Sequence, residues 1–309
     1  YRIHTRFSEF TNAPELIQQT RMVMDVRTAE DLKLPTPKLA GGQPMSVIAK
    51  ATPELMAYIQ TLVKRMDAFK GKYDPTVDNP LKVTGDGKKA ALDMRLVIPT
   101  SQDFEGSKVN LAVQNILDEW KKGKTGALTQ VVFIDLSVPA KKSERGQKFS
   151  VYDDIKTKLI RRGIPEREIA FVQDYDTPAK RAILFEAVNA GRVRVVLGSR
   201  QLLGVGVNMQ RRLVAGHDLD PPWRPDQLEQ GRGRILRPGN SNETVRIYQY
   251  GTAKSFDAYI WQLLAAKSKM TSRFLKGDIT VRTIEDIDAV VLNAEQMKAI
   301  TSDNPLAME

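Results

Sequence analysis

The sequence predicts an α/β fold, a parallel sheet flanked by helices, with an irregular and helical N-terminal extension and a C-terminal brace helix. Three observations predict it. Short apolar runs at 130–137 (QVVFIDLS), 167–174 (REIAFVQD), 192–199 (RVRVVLGS), 211–218 (RRLVAGHD) and 244–251 (TVRIYQYG) have the near-continuous hydrophobicity of strands in a parallel sheet. Helical patterns alternate with these runs, as right-handed crossovers between parallel strands require. A Gly-x-Gly at 204–206 follows RVRVVLGS, at the carboxyl end of a strand, where α/β sheets take up phosphate.

The elements follow in order. Residues 1–45 read as irregular apart from a short helix at 14–24, with 34–44 (LPTPKLAGGQP) as an extended connector. Thr52-Pro53-Glu54 opens an amphipathic helix to about 69, with Leu55, Ile59, Leu62, Val63 and Met66 on one stripe. Residues 70–90 read as a polar loop rich in glycine and proline, and a helical turn at 90–96 precedes an amphipathic helix at 107–121. Between the apolar runs lie a helix at 152–162, closed by Gly163, and one opened by Thr177-Pro178 and closed by Gly191. Residues 204–210 read as a loop, and 255–275 as a long helix whose aromatics suit a core better than a base-stacking platform. The predicted division is a connector and helical extension at 1–106, the α/β lobe at 107–252, and the brace helix and tail at 253–309.

Composition narrows the function. The chain has 309 residues, 41% of them hydrophobic, and no stretch approaches the ~18 apolar residues of a membrane span. It has no cysteine and two histidines, His4 and His217, so thiolate chemistry and a histidine-built zinc site are excluded. A soluble, cytoplasmic protein is the expectation. The net charge of +10 points to a polyanion, nucleic acid first. Residues 192–237 concentrate the signal, with nine arginines, no lysine and four acids. Solvated faces mix lysine with glutamate, whereas arginine alone suits planar recognition of phosphate or carboxylate.

The strongest local pattern lies at 220–240 (DPPWRPDQLEQGRGRILRPGN). Gln230, Arg234 and Arg237 are spaced i, i+4 and i+7, which places an amide and two guanidiniums on one face of a helix. Pro225 suits its first position, Asp226 and Glu229 its first turn, and Pro238-Gly239 its end. Leu228 and Ile235 point the opposite way and can pack. Arg237 precedes a proline and sits at the limit of the helix. Arg224 and Arg232 fit an ordinary salt-bridged surface.

Several patterns fail their chemistry. Gly-Lys-Thr at 123–125 lacks the first glycine of a P-loop and precedes a strand instead of following one. Asp118-Glu119 reads as helix surface, not a metal pair, and Asp135 as a helix cap.

In this order, the glycine loop and the arginine segment resemble motifs V and VI of the second RecA-like lobe of superfamily 2 helicases, specifically the Swi/Snf-like group. Residues 199–210 (SRQLLGVGVNMQ) resemble motif V, 220–240 motif VI, and 131–137 motif IV. The segment 176–199, including Thr177 and Arg181, resembles the link between IV and V. Residues 93–99, 149–160 and 255–264 are similar to the helicase part of large phage and plasmid proteins that join a helicase to a DNA methyltransferase. One departure is Gly239-Asn240 where the group often has Gly-Gln.

The resemblance implies the C-terminal lobe of an ATP-dependent DNA helicase or double-strand translocase. Arg237 would be the arginine finger, Arg234 a γ-phosphate contact, and Gln230 would position water or the nucleotide. Gly204, Gly206 and Asn208 would let the backbone approach ATP. Thr177, Lys180, Arg181, Ser199 and Arg200 would meet the phosphates of double-stranded DNA, without regard to sequence. The sequence holds neither a Walker lysine nor an Asp-Glu metal pair, so an N-terminal lobe would complete the site and hold most of the magnesium shell. These residues alone would then not hydrolyse ATP. Two alternatives are a non-catalytic DNA-binding or scaffolding module serving a methyltransferase, and a self-sufficient phosphotransfer enzyme, against which the missing P-loop stands.

Overall fold

The computed structural model describes residues 9–10, 12–25, 27, 32, 34–69, 74, 76–139, 148–203, 208–276, 284–285, 297 and 300. In chain order these form β1 (Glu9–Phe10), α1 (Ala13–Val23), β2 (Lys38–Leu39), β3 (Met45–Ala49), α2 (Pro53–Ala68), α3 (Pro80–Leu92) and α4 (Lys108–Lys122). Then come β4 (Thr129–Phe133), α5 (Val151–Arg161), β5 (Ile169–Phe171), α6 (Pro178–Asn189), β6 (Val195–Gly198) and α7 (Arg200–Leu203). The last are β7 (Leu213–Asp218), α8 (Pro225–Arg232), β8 (Thr244–Thr252), α9 (Phe256–Lys276) and β9 (Ile284–Glu285).

The main sheet runs β2-β8-β7-β4-β6-β5, with β3 pairing along β8 beyond β2. Every pairing in it is parallel. Side chains alternate between its faces with the two-residue period of a strand. On β4, Val132 joins a core with Val113 and Ile116 of α4 and Ile155 and Leu159 of α5. Val131 and Phe133 join one with Leu184 and Val188 of α6 on the other face. Burial on both faces is why the strands read as continuous apolar runs.

Helix ends follow local rules. The hydroxyls of Thr52, Ser107 and Thr177 accept N–H bonds at the starts of α2, α4 and α6. Gly163 and Gly191 close α5 and α6 at φ 98° and 76°, where a side chain would strain the backbone.

Three expectations are corrected. Residues 80–92, read as part of a polar loop, form α3, capped by Asn79 and opened by Pro80. Gly87 allows α3 to approach α9, because a Cβ there would lie 2.6 Å from the Phe256 ring. Residues 38–39 and 45–49, in and beyond the expected connector, supply strands on the β8 edge of the sheet. Glu119, read as surface, is 1% exposed and accepts from Tyr248 Oη at 2.9 Å. The helical extension and the brace helix pack together: Leu55, Ile59 and Leu62 of α2 and Val83 of α3 share a core with Tyr259, Ile260 and Leu264 of α9. The α9 aromatics Phe256, Tyr259 and Trp261 are buried there, as expected.

Candidate functional site

The arginine segment begins as the sequence suggests, with Pro225 in the first turn of α8. It does not remain helical. The helix stops at Arg232, and the N–H of Gly233 closes it onto Glu229 O. Glycines at 231 and 233 weaken the last turn. A turn follows, in which the Arg234 N–H reaches Gly231 O at 3.1 Å and the Ile235 N–H reaches Arg232 O at 2.9 Å. Gln230 is exposed on the last helical turn, Arg234 is half-buried in the turn, and Arg237 is half-buried beyond it. The expected single helix face is therefore a helix end plus a turn. Leu228 and Ile235 are buried, 5% and 0% exposed, and anchor the segment. Burial, and then the charge of Arg237, hold the Arg234 guanidinium below its ordinary pKa.

The end of the glycine segment meets this turn. Gln210 Nε2 donates to Pro238 O at 3.4 Å, and the Ser241 N–H donates to Arg211 O at 2.9 Å. Among the described residues Gln210 Oε1 is buried without a partner. Asn208 is exposed, and its carbonyl accepts from Asn189 Nδ2 at 2.8 Å. Gly204 and Gly206 lie outside the described residues.

Arg200 does not face outward. It is 4% exposed, and Nη1 donates to Asp135 at 2.6 Å and to Asp220 at 3.1 Å. Nη2 donates to Asp218 and to Asp220 O, both at 2.9 Å. The expected DNA contact is corrected, because three carboxylates at the ends of β4 and β7 enclose this guanidinium. Ser199 is also buried, at 9%. Asp135 accepts the Arg200 N–H at 2.7 Å, a cap supplied from a neighbouring strand. Burial, and then Asp220, push the Asp135 carboxyl above its ordinary range.

Thr177, Lys180 and Arg181 are brought together in the first turn of α6, beyond the carboxyl end of β5. Thr177 and Lys180 are exposed, and Lys180 pairs with Asp176 at 2.8 Å. Arg181 Nε donates to Tyr175 O at 2.9 Å. Arg224 pairs with Asp226 at 2.7 Å on the surface, as the sequence suggests, whereas Arg232, expected on that same solvated face, turns inward to the buried Asp218 at 3.1 Å.

Sequence reasoning missed Asp218, Asp220 and Lys88. The first two were visible only as acids after a strand. Lys88 of α3 donates to Pro221 O at 3.0 Å and lies 4.1 Å from the Trp223 ring centroid. It clamps the loop that leads into α8. Nothing local in its sequence marks it, because its partners are far along the chain.

Among the described residues no set of three His, Asp or Glu side chains is placed to hold a metal. Where three carboxylates do converge among the described residues a guanidinium neutralises them, Asp135, Asp218 and Asp220 on Arg200 and Asp93, Asp103 and Asp154 on Arg95, so the residues present do not fit magnesium. No helix among the described residues is long and apolar enough to cross a membrane.

No protein-family model matches the chain, and no curated protein does. Solved structures do. The Sulfolobus solfataricus SWI2/SNF2 ATPase core domain aligns with 83% of this chain at 16% identity and a TM-score of 0.54. The same ATPase core in complex with dsDNA aligns with 87% at 17% identity and a TM-score of 0.50. The chain spans about half of each, 48% and 53%. The likeness establishes the fold class as an α/β, RecA-like parallel sheet flanked by helices, of the kind in Swi2/Snf2 ATPase cores.

Proposed function

We propose that this chain is the C-terminal lobe of an ATP-dependent DNA translocase or helicase. Its ATP site would be completed by a second RecA-like lobe, which supplies the phosphate loop and most of the magnesium shell. Arg237 acts as the arginine finger, Arg234 contacts the γ-phosphate and Gln230 orients the attacking water. The chemistry is positioning and charge neutralisation, because transferring a γ-phosphoryl group to water spreads charge over its oxygens. Gly204, Gly206 and Asn208 carry the backbone past the nucleotide. The observation that carries this reading is the meeting of the glycine segment and the arginine turn, Gln210 against Pro238. The RecA-like fold, shared with a dsDNA-bound ATPase core, supports it.

DNA-phosphate contact is assigned to Thr177, Lys180 and Arg181 on α6. Arg200 and Ser199 leave that set and become internal supports. A methyltransferase partner remains part of the proposal only through the sequence resemblance.

The test is Arg237→Ala in the full-length protein. DNA-stimulated ATP turnover should fall by about 10³–10⁵ while DNA affinity is kept. Normal turnover in that variant would sink the assignment.

A further inference from the structure

Crossover helices in a parallel sheet return the chain to the amino ends of the strands, so those loops collect on one rim. In this protein the rim is basic. Arg161 and Arg167 precede β5, Arg192 precedes β6, Lys121 and Lys124 precede β4, and Arg211 precedes β7. All six are exposed, and none has a side-chain hydrogen bond or ion pair among the described residues. Their loops are joined into one surface. Arg212 Nη1 donates to Gly126 O at 2.6 Å, Arg194 Nη2 to Trp120 O at 2.6 Å, and Trp120 Nε1 to Glu168 at 2.8 Å.

Nearby acids do not balance the row. Glu119 and Glu168 turn inward to bonded partners, and Glu166 pairs with Lys156 at 2.8 Å. Beside these loops, Glu186 on α6 and Glu243 before β8 are exposed carboxylates. The flanks are not apolar either. Of the large hydrophobic side chains exposed among the described residues, only Ile160, at 37%, adjoins the rim. A protein partner needs an apolar centre, and a compact anion needs a pocket. A row of separate charges with neither suits an extended polyanion.

We propose that this amino-end rim is a second DNA-backbone surface, opposite the α6 contacts. The strands from β5 to β7 sit ~4.8 Å apart, so their loops span about 14 Å. Duplex DNA carries a charge every ~1.7 Å of its axis, so the rim faces several phosphates at once. β4 alone has 5 residues, about 16 Å of chain, between the rim and the carboxyl end. One duplex contact at each end would hold two DNA segments, or two parts of a bent one. The inference shares the DNA partner with the proposed function.

The experiment follows binding of a labelled random-sequence duplex to the 309-residue chain across a salt series. The triple variant Lys124→Glu, Arg167→Glu, Arg192→Glu should bind at least ~10-fold more weakly at low salt. Its log-affinity against log-salt slope should be shallower by about 2–3, at ~0.9 per phosphate lost. Circular dichroism and a thermal melt check its fold. If the triple variant does not fold, Arg192→Gln and Lys124→Gln should each lower the slope by about 1. Wild-type affinity and slope in these variants overturn the rim. Lys180→Ala separates the two surfaces. Loss of binding there, with the rim variants unaffected, would remove the rim and leave the α6 contact. The reverse would keep the rim and remove the α6 contact.

Discussion

Arg200 donates twice to Asp135, through its backbone N–H at 2.7 Å and through Nη1 at 2.6 Å. One pair thus ties the end of β4 to the first residue of α7. Asp220 extends the tie. It accepts from Nη1 of the same arginine at 3.1 Å and from the N–H groups of Asp135 and Leu136 at 2.9 Å and 2.8 Å. Asp218 shares its carboxylate between Arg200 and Arg232 of α8. The network joins the strand ends to the segments before the glycine loop and inside the arginine helix.

Arg200→Met should therefore destabilise the fold by about 3–5 kcal/mol, because it leaves three carboxylates facing one another. Denaturant unfolding measures this. DNA affinity per folded molecule and its salt slope should not change. A shallower salt slope would restore Arg200 as a DNA contact.

Gly216 lies beneath the arginine turn. A Cβ there would meet Ile235 Cδ1, 2.1 Å from its ideal position. Gly216→Ala should cost about 1–3 kcal/mol by overpacking and shift the turn that carries Arg234. Adding Ile235→Val should recover much of the loss. Equal losses in the single and double variants, read from unfolding midpoints, would contradict the packing argument.

His217 is fully buried, and burial holds its pKa down at about 3. Tyr250 Oη and Gln130 Oε1 lie 2.9 Å from its two ring nitrogens. Asn115 donates to that hydroxyl at 3.1 Å, so the hydroxyl hydrogen is left for Nδ1 and the proton on the ring sits at Nε2. As pH falls below about 6.5 the unfolded chain binds a proton here and the folded chain does not. Stability is complete above that pH and lost below it, by at most ~1.4 kcal/mol per unit, until the folded pKa is reached. Asp135, pushed upward, acts with the opposite sign as it ionises. His217→Gln should flatten the acid slope of the unfolding free energy between pH 6.5 and pH 4, both within the window set by the two pKa values. An unchanged slope would assign the acid sensitivity elsewhere.

Lys108 and Asp257 form a buried pair at 2.5 Å, each 1% exposed. Lys108→Met should cost about 3–5 kcal/mol at neutral pH by stranding the carboxylate, which burial already pushes above its ordinary range. The loss should shrink as acid neutralises Asp257. The check is the pH dependence of the unfolding midpoint in the variant against the wild type.

On the two-lobe proposal, the 309 residues alone should not turn over ATP, and DNA-stimulated turnover should need the second lobe. Robust hydrolysis by these residues would mean that they hold a complete site, and would replace the two-lobe proposal.

Strands β4 to β8 were legible because burial on both faces forces continuous apolar runs such as VVFI at 131–134. The starts of α2, α4 and α6 were legible because Thr52, Ser107 and Thr177 cap them locally. The helix at 80–92 was hidden by Gly85 and Gly87, of which Gly87 makes room for the packing of Phe256. The strand at 45–49 was hidden because its partner, β8, lies some two hundred residues away.

By itself the sequence determined the parallel α/β class and the salt-bridged role of Arg224, two residues from Asp226. These depend on residue type and short spacing, which act along the chain. Only the tertiary structure decided which arginines face inward. Arg200 and Arg211 look alike in sequence, yet one sits 4% exposed among Asp135, Asp218 and Asp220 and the other stands open on the amino rim. The reason is electrostatic. A guanidinium can leave water only where carboxylates from other strands converge, and that convergence is a property of strand order, not of local sequence.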